Sequence, residues 1–171
     1  MYRTRVHSRH FVMALTLCLA PAVAHAHIAS REPAPLQGGQ ADAAKVEQLL
    51  QQSGYRYRKV SDGVWVIERQ GKSLPKFTII FASGSGFLVM GVIVATKKTM
   101  NTTADMMFKL LKLNHSLDYV KIGFDDDDDL FVRSEVKTRQ LDLQEFKEGV
   151  ERLSTDADQI YEAIRPYLKT P

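Results

Sequence analysis

Five consecutive aspartates, Asp125 to Asp129, are the residues of this sequence whose type and spacing most directly suggest chemistry. Carboxylate oxygens are the ligands that calcium and magnesium prefer, so the alternate members Asp125, Asp127 and Asp129 are candidates for holding a divalent ion. The EF-hand pattern is not met, because leucine and valine stand where that loop needs glycine and glutamate. The run therefore predicts either a weak metal site or a solvated turn between two strands.

His115 is the second candidate, because histidine is both a metal ligand and an acid–base catalyst near neutral pH. A metal centre normally needs three or four convergent ligands, and no other histidine lies in the region with folding patterns. A metal-dependent hydrolase that combines His115 with the aspartate run is one hypothesis. A helix-end residue without a catalytic role is the alternative.

Ser83 to Gly86 alternates serine with glycine but matches neither a nucleophile elbow nor a phosphate-binding loop, since both motifs lead into a helix and a strand-like segment follows here. The sequence thus offers no catalytic motif and no cofactor-binding motif. We expect a protein that is not an enzyme.

Two pairs of residues are candidates for contacting a partner. Tyr55 and Tyr57 alternate with basic residues, which fits either a stacking surface for single-stranded nucleic acid or an edge strand protected by charge. Met106 and Met107 lie in a helical segment, where methionines form either core or an adaptable protein-binding surface.

The first 26 residues have the three-part order of a secretory signal peptide. Three arginines precede an apolar run from Phe11 to Ala20, and Ala24-His25-Ala26 fits the small-residue cleavage site. Cleavage after Ala26 predicts a periplasmic or secreted protein. The proline- and glycine-containing segment 27–39 is then expected to be a flexible leader.

Removal of that segment changes the charge balance. It takes away Arg3, Arg5 and Arg9, which leaves 20 basic residues from the original 23 against 20 acidic ones. A neutral exported chain does not favour nucleic acid as a partner. The single cysteine, Cys18, leaves with the signal, so packing rather than disulfides must stabilise the mature protein.

The uncharged run from Phe77 to Thr96 is the segment around which the other elements must be arranged. It is long enough to span a bilayer. However, Ser83 to Gly86 interrupts it, and β-branched and aromatic residues fill both halves, which favours a buried β-hairpin and no membrane span in the mature chain. An Asp62-Gly63 turn predicts a second hairpin over residues 55–68.

Helical patterns surround these strands. Residues 41–53 are good helix formers, Asn101 to Thr103 offer N-caps for a short second helix, and Asp142 with Glu145 resembles a capping box. An apolar stripe from Phe146 to Ile164 predicts a long final helix. The predicted order is α-β-β-β-β-α-β-β-α, within one domain over residues 40–169.

The segment from Met107 to Asn114, the acidic-tipped hairpin of residues 120–136 and the closing helix from Asp142 together resemble the YbjN family, whose fold is similar to that of class I type III secretion chaperones. The resemblance implies an α+β domain, with three helices packed on a curved antiparallel sheet. It also implies a homodimer that holds other proteins or regulates, rather than a catalyst.

The resulting expectation is an exported, non-enzymatic module that binds another protein or a peptide, using sheet or helix surfaces, or pairs with itself. A small-ligand or divalent-ion-binding envelope protein is the alternative.

Overall fold

The computed structural model describes residues 37–169 of the 171-residue chain. The signal peptide and most of the leader predicted above lie outside this range. Three α-helices and six β-strands follow the predicted order. They are α1 (Gln37–Ser53), β1 (Tyr57–Ser61), β2 (Val64–Arg69), β3 (Phe77–Gly84), β4 (Phe87–Ala95), α2 (Ala104–Ser116), β5 (Lys121–Phe124), β6 (Leu130–Lys137) and α3 (Leu143–Ile164).

The central apolar run forms the predicted hairpin, β3 and β4, rather than a membrane helix. Its turn is made by Ser85 and Gly86, which both have positive φ angles of 52° and 84°. Two consecutive residues with positive φ match the right-handed twist of the paired strands. No helix among residues 37–169 is long and apolar enough to cross a membrane.

All six strands form one antiparallel sheet in the order β1-β2-β3-β4-β6-β5. The prediction that β1 is an edge strand is confirmed. One face of the sheet carries the core, because alternate residues of each strand turn toward the helices. The largest fully buried side chains include Trp65, Phe81, Met90 and, from α3, Phe146. The rings of Phe81 and Phe146 lie 5.6 Å apart.

Helix α3 lies on this face and begins at the predicted capping box. The Asp142 side chain accepts a hydrogen bond from the Glu145 amide at 2.8 Å, and the Glu145 side chain accepts one from the Asp142 amide at 3.3 Å. Both amides lack a partner within the helix backbone, and these side chains supply one. Helix α1 begins at Gln37, earlier than expected, and so includes the end of the segment predicted as a leader.

Two contacts from chain segments outside the sheet complete the packing. The loop between β2 and β3 is held by Asp158 of α3, whose Oδ1 accepts hydrogen bonds from the amides of Ser73 and Leu74 at 2.7 and 2.8 Å. The chain end returns to the segment before α2, where Leu168 forms a β-bridge with Met100. These contacts fix the positions of the β2–β3 loop and of α2. Strand pairing within the sheet does not determine either position.

Candidate functional site

Helix α2 has one buried side and one apolar side that faces solvent. Met106 and Leu110 are buried against the domain, whereas Met107, Phe108 and Leu111 are 37%, 60% and 65% exposed. The Thr103 side chain caps the helix by accepting a hydrogen bond from the Met106 amide, as the sequence predicted. Three large apolar side chains exposed on one short helix form a contiguous surface of the kind that marks protein contacts. We call Met107, Phe108 and Leu111 the α2 surface.

The two methionines proposed as partner-binding residues therefore have different environments. Met106 is fully buried in the core, so it cannot contact a partner directly. Met107 belongs to the α2 surface. Adjacent helical residues point about 100° apart, which is why one turns inward and the next outward. The sequence analysis did not identify Phe108 and Leu111 as contact residues, although both lie in the same apolar segment.

Tyr55 and Tyr57 are half-buried and do not form a free stacking surface. The Tyr55 hydroxyl donates to Glu151 of α3 at 3.0 Å, and the Arg69 guanidinium lies 5.5 Å from the Tyr55 ring centre. Burial and the Glu151 carboxylate raise the pKa of Tyr55. This arrangement ties the start of the sheet to α3 and gives Tyr55 a structural role. The partner contact predicted for Tyr55 and Tyr57 stays a prediction.

The aspartate run forms the turn between β5 and β6. Asp125 Oδ1 accepts hydrogen bonds from the amides of Asp127 and Asp129 at 3.1 and 2.9 Å, and Lys97 binds Asp128 and Asp129. Within residues 37–169, no group of three or more histidine, cysteine or acidic side chains is arranged to hold a metal ion. The geometry thus gives no support to the metal-site prediction for Asp125, Asp127 and Asp129. The Asp125 carboxylate stabilises the turn, and the Asp129 carboxylate accepts a hydrogen bond from the Lys97 amide.

His115 lies exposed in the last turn of α2. Among the described residues, no hydrogen bond or ion pair connects it to the aspartate run. Ser83 and Ser85 lie at the end of β3 and in the β3–β4 turn. The residues that could have suggested a hydrolase are therefore on separate elements.

An open cleft of about 490 Å³ lies between β6 and α3, and the sequence analysis did not anticipate it. Its lining residues include Val136, Leu153 and Tyr119, and Tyr119 has a φ of 67°. A positive φ is unusual for a bulky residue, and such strain is often found at functional sites. The Arg152 guanidinium lies 4.5 Å from the Tyr119 ring centre. No sequence motif marks this cleft, because its residues come from four separate segments.

Asp156 is a buried carboxyl group on α3 whose Oδ2 has no hydrogen-bond partner among the described residues. Burial raises its pKa, and the positive charge of Arg152 opposes that rise. Because the pKa is higher in the folded chain than in the unfolded chain, ionisation of Asp156 destabilises the fold.

Replacing Asp156 by asparagine is expected to raise the free energy of unfolding by about 1 kcal/mol at neutral pH. The gain should be absent below about pH 4, where the carboxyl is protonated in both states, and should grow as the pH rises through the folded pKa. Urea denaturation from pH 3 to 7 measures it. Asp126→Asn, at an exposed position, is the matched control, and equal pH profiles for both variants would contradict the prediction.

Comparison with known proteins identifies the family to which this chain is similar. A model of the YbjN family, described as "putative bacterial sensory transduction regulator", matches residues 42–166. No curated protein sequence matches this chain.

Three solved structures share the fold at low sequence identity. YbjN from E. coli aligns over 74% of this chain and 95% of its own, with 15% identity and a TM-score of 0.55. A chain of the ExoU–SpcU complex from Pseudomonas aeruginosa aligns over 71% and 98%, with 19% identity and a TM-score of 0.53. A chain from the Yersinia pestis type III secretion chaperone SycH with a YscM2 fragment aligns over 70% and 98%, with 12% identity and a TM-score of 0.53.

The α+β fold predicted from the sequence is therefore confirmed, as is its likeness to type III secretion chaperones. The family match extends from α1 to the end of α3 and covers well over half of the sequence. The protein belongs to the YbjN family.

Proposed function

We propose that this protein is an exported, non-enzymatic protein-binding module that pairs with a second copy of itself through α2 and holds a client protein elsewhere. The α2 surface is the observation on which the proposal rests. Phe108 and Leu111 expose most of their side chains although their neighbours Met106 and Leu110 are fully packed. Covering such side chains on association is favourable by about 25 cal/mol per Å² of apolar area.

A second copy of the chain suits this surface because of its charges. Asp105 lies in the first turn of α2, where it accepts a hydrogen bond from the Tyr167 hydroxyl, and Lys112 lies near the helix end over the Phe108 ring. If two α2 helices pack antiparallel around a two-fold axis, Asp105 of each helix approaches Lys112 of the other. Opposed helix dipoles also favour the antiparallel arrangement. A two-fold interface needs this self-complementarity, since the same patch is used on both subunits.

The client-holding part of the proposal is supported by the fold. Similar folds have been solved in protein complexes, namely ExoU–SpcU, ExsC–ExsE and SycH with a YscM2 fragment. The family description as a sensory transduction regulator also fits a protein that acts by binding. A role for a bound metal or small ligand has less support, because the carboxylates of Asp125, Asp128 and Asp129 already bind the turn backbone or Lys97.

Pairing through α2 is tested by light scattering coupled to size-exclusion chromatography. The purified wild-type chain is expected to have the mass of two copies, and Leu111→Glu that of one, because a buried unpaired charge opposes association. Ile93→Glu, which changes an exposed apolar residue of the sheet, is the matched control and should remain paired. A single-copy mass for the wild type, or a paired Leu111→Glu, would contradict the proposal.

Export is tested separately by cell fractionation and by the mass of the recovered chain. We expect the protein in the periplasm or medium, with His27 as its first residue. A chain that retains Met1 to Ala26 in the cytoplasm would contradict export without affecting the pairing proposal.

A further inference from the structure

The strand β6 has an open edge over its second half. On one side, β6 pairs with β4 along its length, from Leu130 to Lys137. On the other side, β5 pairs only with residues 130–133 of β6. Within residues 37–169, no strand covers the β5 side of residues 134–137. Unpaired backbone groups on a strand edge are a template for another strand.

The backbone groups at this edge can be assigned from the register. The Thr138 amide donates to the Gly86 carbonyl at 3.0 Å, so the even-numbered residues of β6 direct their backbone groups toward β4. Directions alternate along an antiparallel strand, so the N–H and C=O groups of Glu135 and Lys137 point to the open side. The Ile122 amide of β5 donates outward to Asn114, which agrees with this alternation.

Tyr119 explains why the edge is open. Lys121 is the first β5 residue paired with β6, and the chain before it would continue beside Ser134 and Glu135 if it stayed extended. The left-handed backbone conformation of Tyr119 turns the chain away instead. Tyr119 and Val120 then form one wall of the cleft between the open edge and α3.

The cleft has a mixed polar and apolar lining that includes several acidic residues. Val136, Leu141 and Leu153 lie along it. Its charged lining residues are three acids, Glu135, Glu145 and Glu148, and one base, Arg152, which leaves a net negative charge. Glu135 is paired with Lys121 and Arg133, so the unneutralised acidic charge lies on α3.

From this geometry we propose that the open edge of β6 receives an extended peptide of a client protein, with a lysine or arginine of that peptide directed into the cleft toward Glu145 and Glu148. The inference rests on the proposed client-holding function and names its site. Residues of the added strand opposite Ser134 and Val136 share their face, so they point into the cleft. A long basic side chain can lay its methylenes along the half-buried Val136 and place its charge near Glu145 and Glu148.

The probe is a displayed library of random octapeptides, selected against the purified full chain. The expected binders have a basic residue between alternating apolar or β-branched residues. One binder is then synthesised and its affinity measured by fluorescence anisotropy. Glu148→Lys should weaken binding by at least about tenfold, because it places like charges together. Glu47→Lys on α1 makes the same change in net charge away from the cleft and should leave the affinity unchanged.

Methylation of single peptide amides tests strand addition itself. Only alternate amides of an added strand bond to β6, so N-methylation should weaken binding by at least about tenfold at every second position and much less between. The proposal would be overturned if no peptide binder is recovered, or if Glu148→Lys binds the peptide as tightly as the wild type. It would also be overturned if N-methylation weakens peptide binding equally at adjacent positions. A chain that pairs through α2 but shows one of these results would refute the peptide site while leaving the pairing intact.

Discussion

Replacing Phe146 by alanine is expected to lower the free energy of unfolding by about 3–5 kcal/mol. Phe146 is fully buried where α3 meets the sheet, and its ring centre lies 5.6 Å from that of Phe81. Alanine would remove a ring and leave a cavity that the close-packed strands cannot fill. The loss is a large share of the stability of a domain, which is typically about 5–15 kcal/mol.

Urea denaturation followed by circular dichroism measures this loss. Phe146→Leu is the graded control, because it keeps part of the apolar volume and should lose less than half as much. A Phe146→Ala chain as stable as the wild type would show that α3 does not pack on the sheet through this residue. The cleft beside the open edge of β6 depends on that packing, because α3 forms part of its lining.

The second large effect is expected for Asp158→Ala, which should lower the free energy of unfolding by about 2 kcal/mol. Asp158 Oδ1 accepts hydrogen bonds from the amides of both Ser73 and Leu74. Removing the Asp158 carboxylate leaves these two partly buried donors without a partner. Asp158→Asn keeps an oxygen at that position, so it should lower the free energy of unfolding much less than Asp158→Ala does. Hydrogen exchange at Ser73 and Leu74 provides the local readout, with fast exchange expected only in the alanine variant.

Gly71 gives an independent test of the same contact. A Cβ at this position would meet Asp158 Oδ1 and lie 2.9 Å from the Leu74 carbonyl oxygen. Gly71→Ala should therefore displace the loop and speed exchange at the same two amides. If exchange is unchanged in both Gly71→Ala and Asp158→Ala, the loop is not held by α3.

Much of the fold was predictable because its signals are local. The Asp62-Gly63 pair and the Ser83 to Gly86 segment mark two hairpins whose turns need positive φ, and glycine adopts it without steric cost. The Asp142–Glu145 capping box marks the start of α3 from four residues alone. These features do not depend on which other elements lie nearby.

The surfaces were less predictable because they depend on long-range packing. Nothing local distinguishes Met106 from Met107; their burial depends on which side of α2 meets the domain. The hairpin of β5 and β6 was evident, but the insertion of β6 beside β4 and the shortness of β5 were not. Together these two facts create the open edge.

Tyr55 shows a related limit. Its alternation with basic residues suggested an exposed contact surface, whereas Glu151 and Arg69, distant in sequence, hold it against α3. An aromatic side chain with a polar tip fits either environment. Only the position of α3 decides between them.

Site-specific photocrosslinking in cells tests the central claim, that one surface binds a second copy and another holds a client. A photoreactive phenylalanine analogue is placed in turn at Leu111 on α2, at Lys137 on the open edge, and at Asp126 on the β5–β6 turn as a control. The account predicts a crosslink to a second copy from Leu111, a crosslink to a different protein from Lys137, and none from Asp126. The same adducts from all three positions, or none from Leu111 and Lys137, would contradict it.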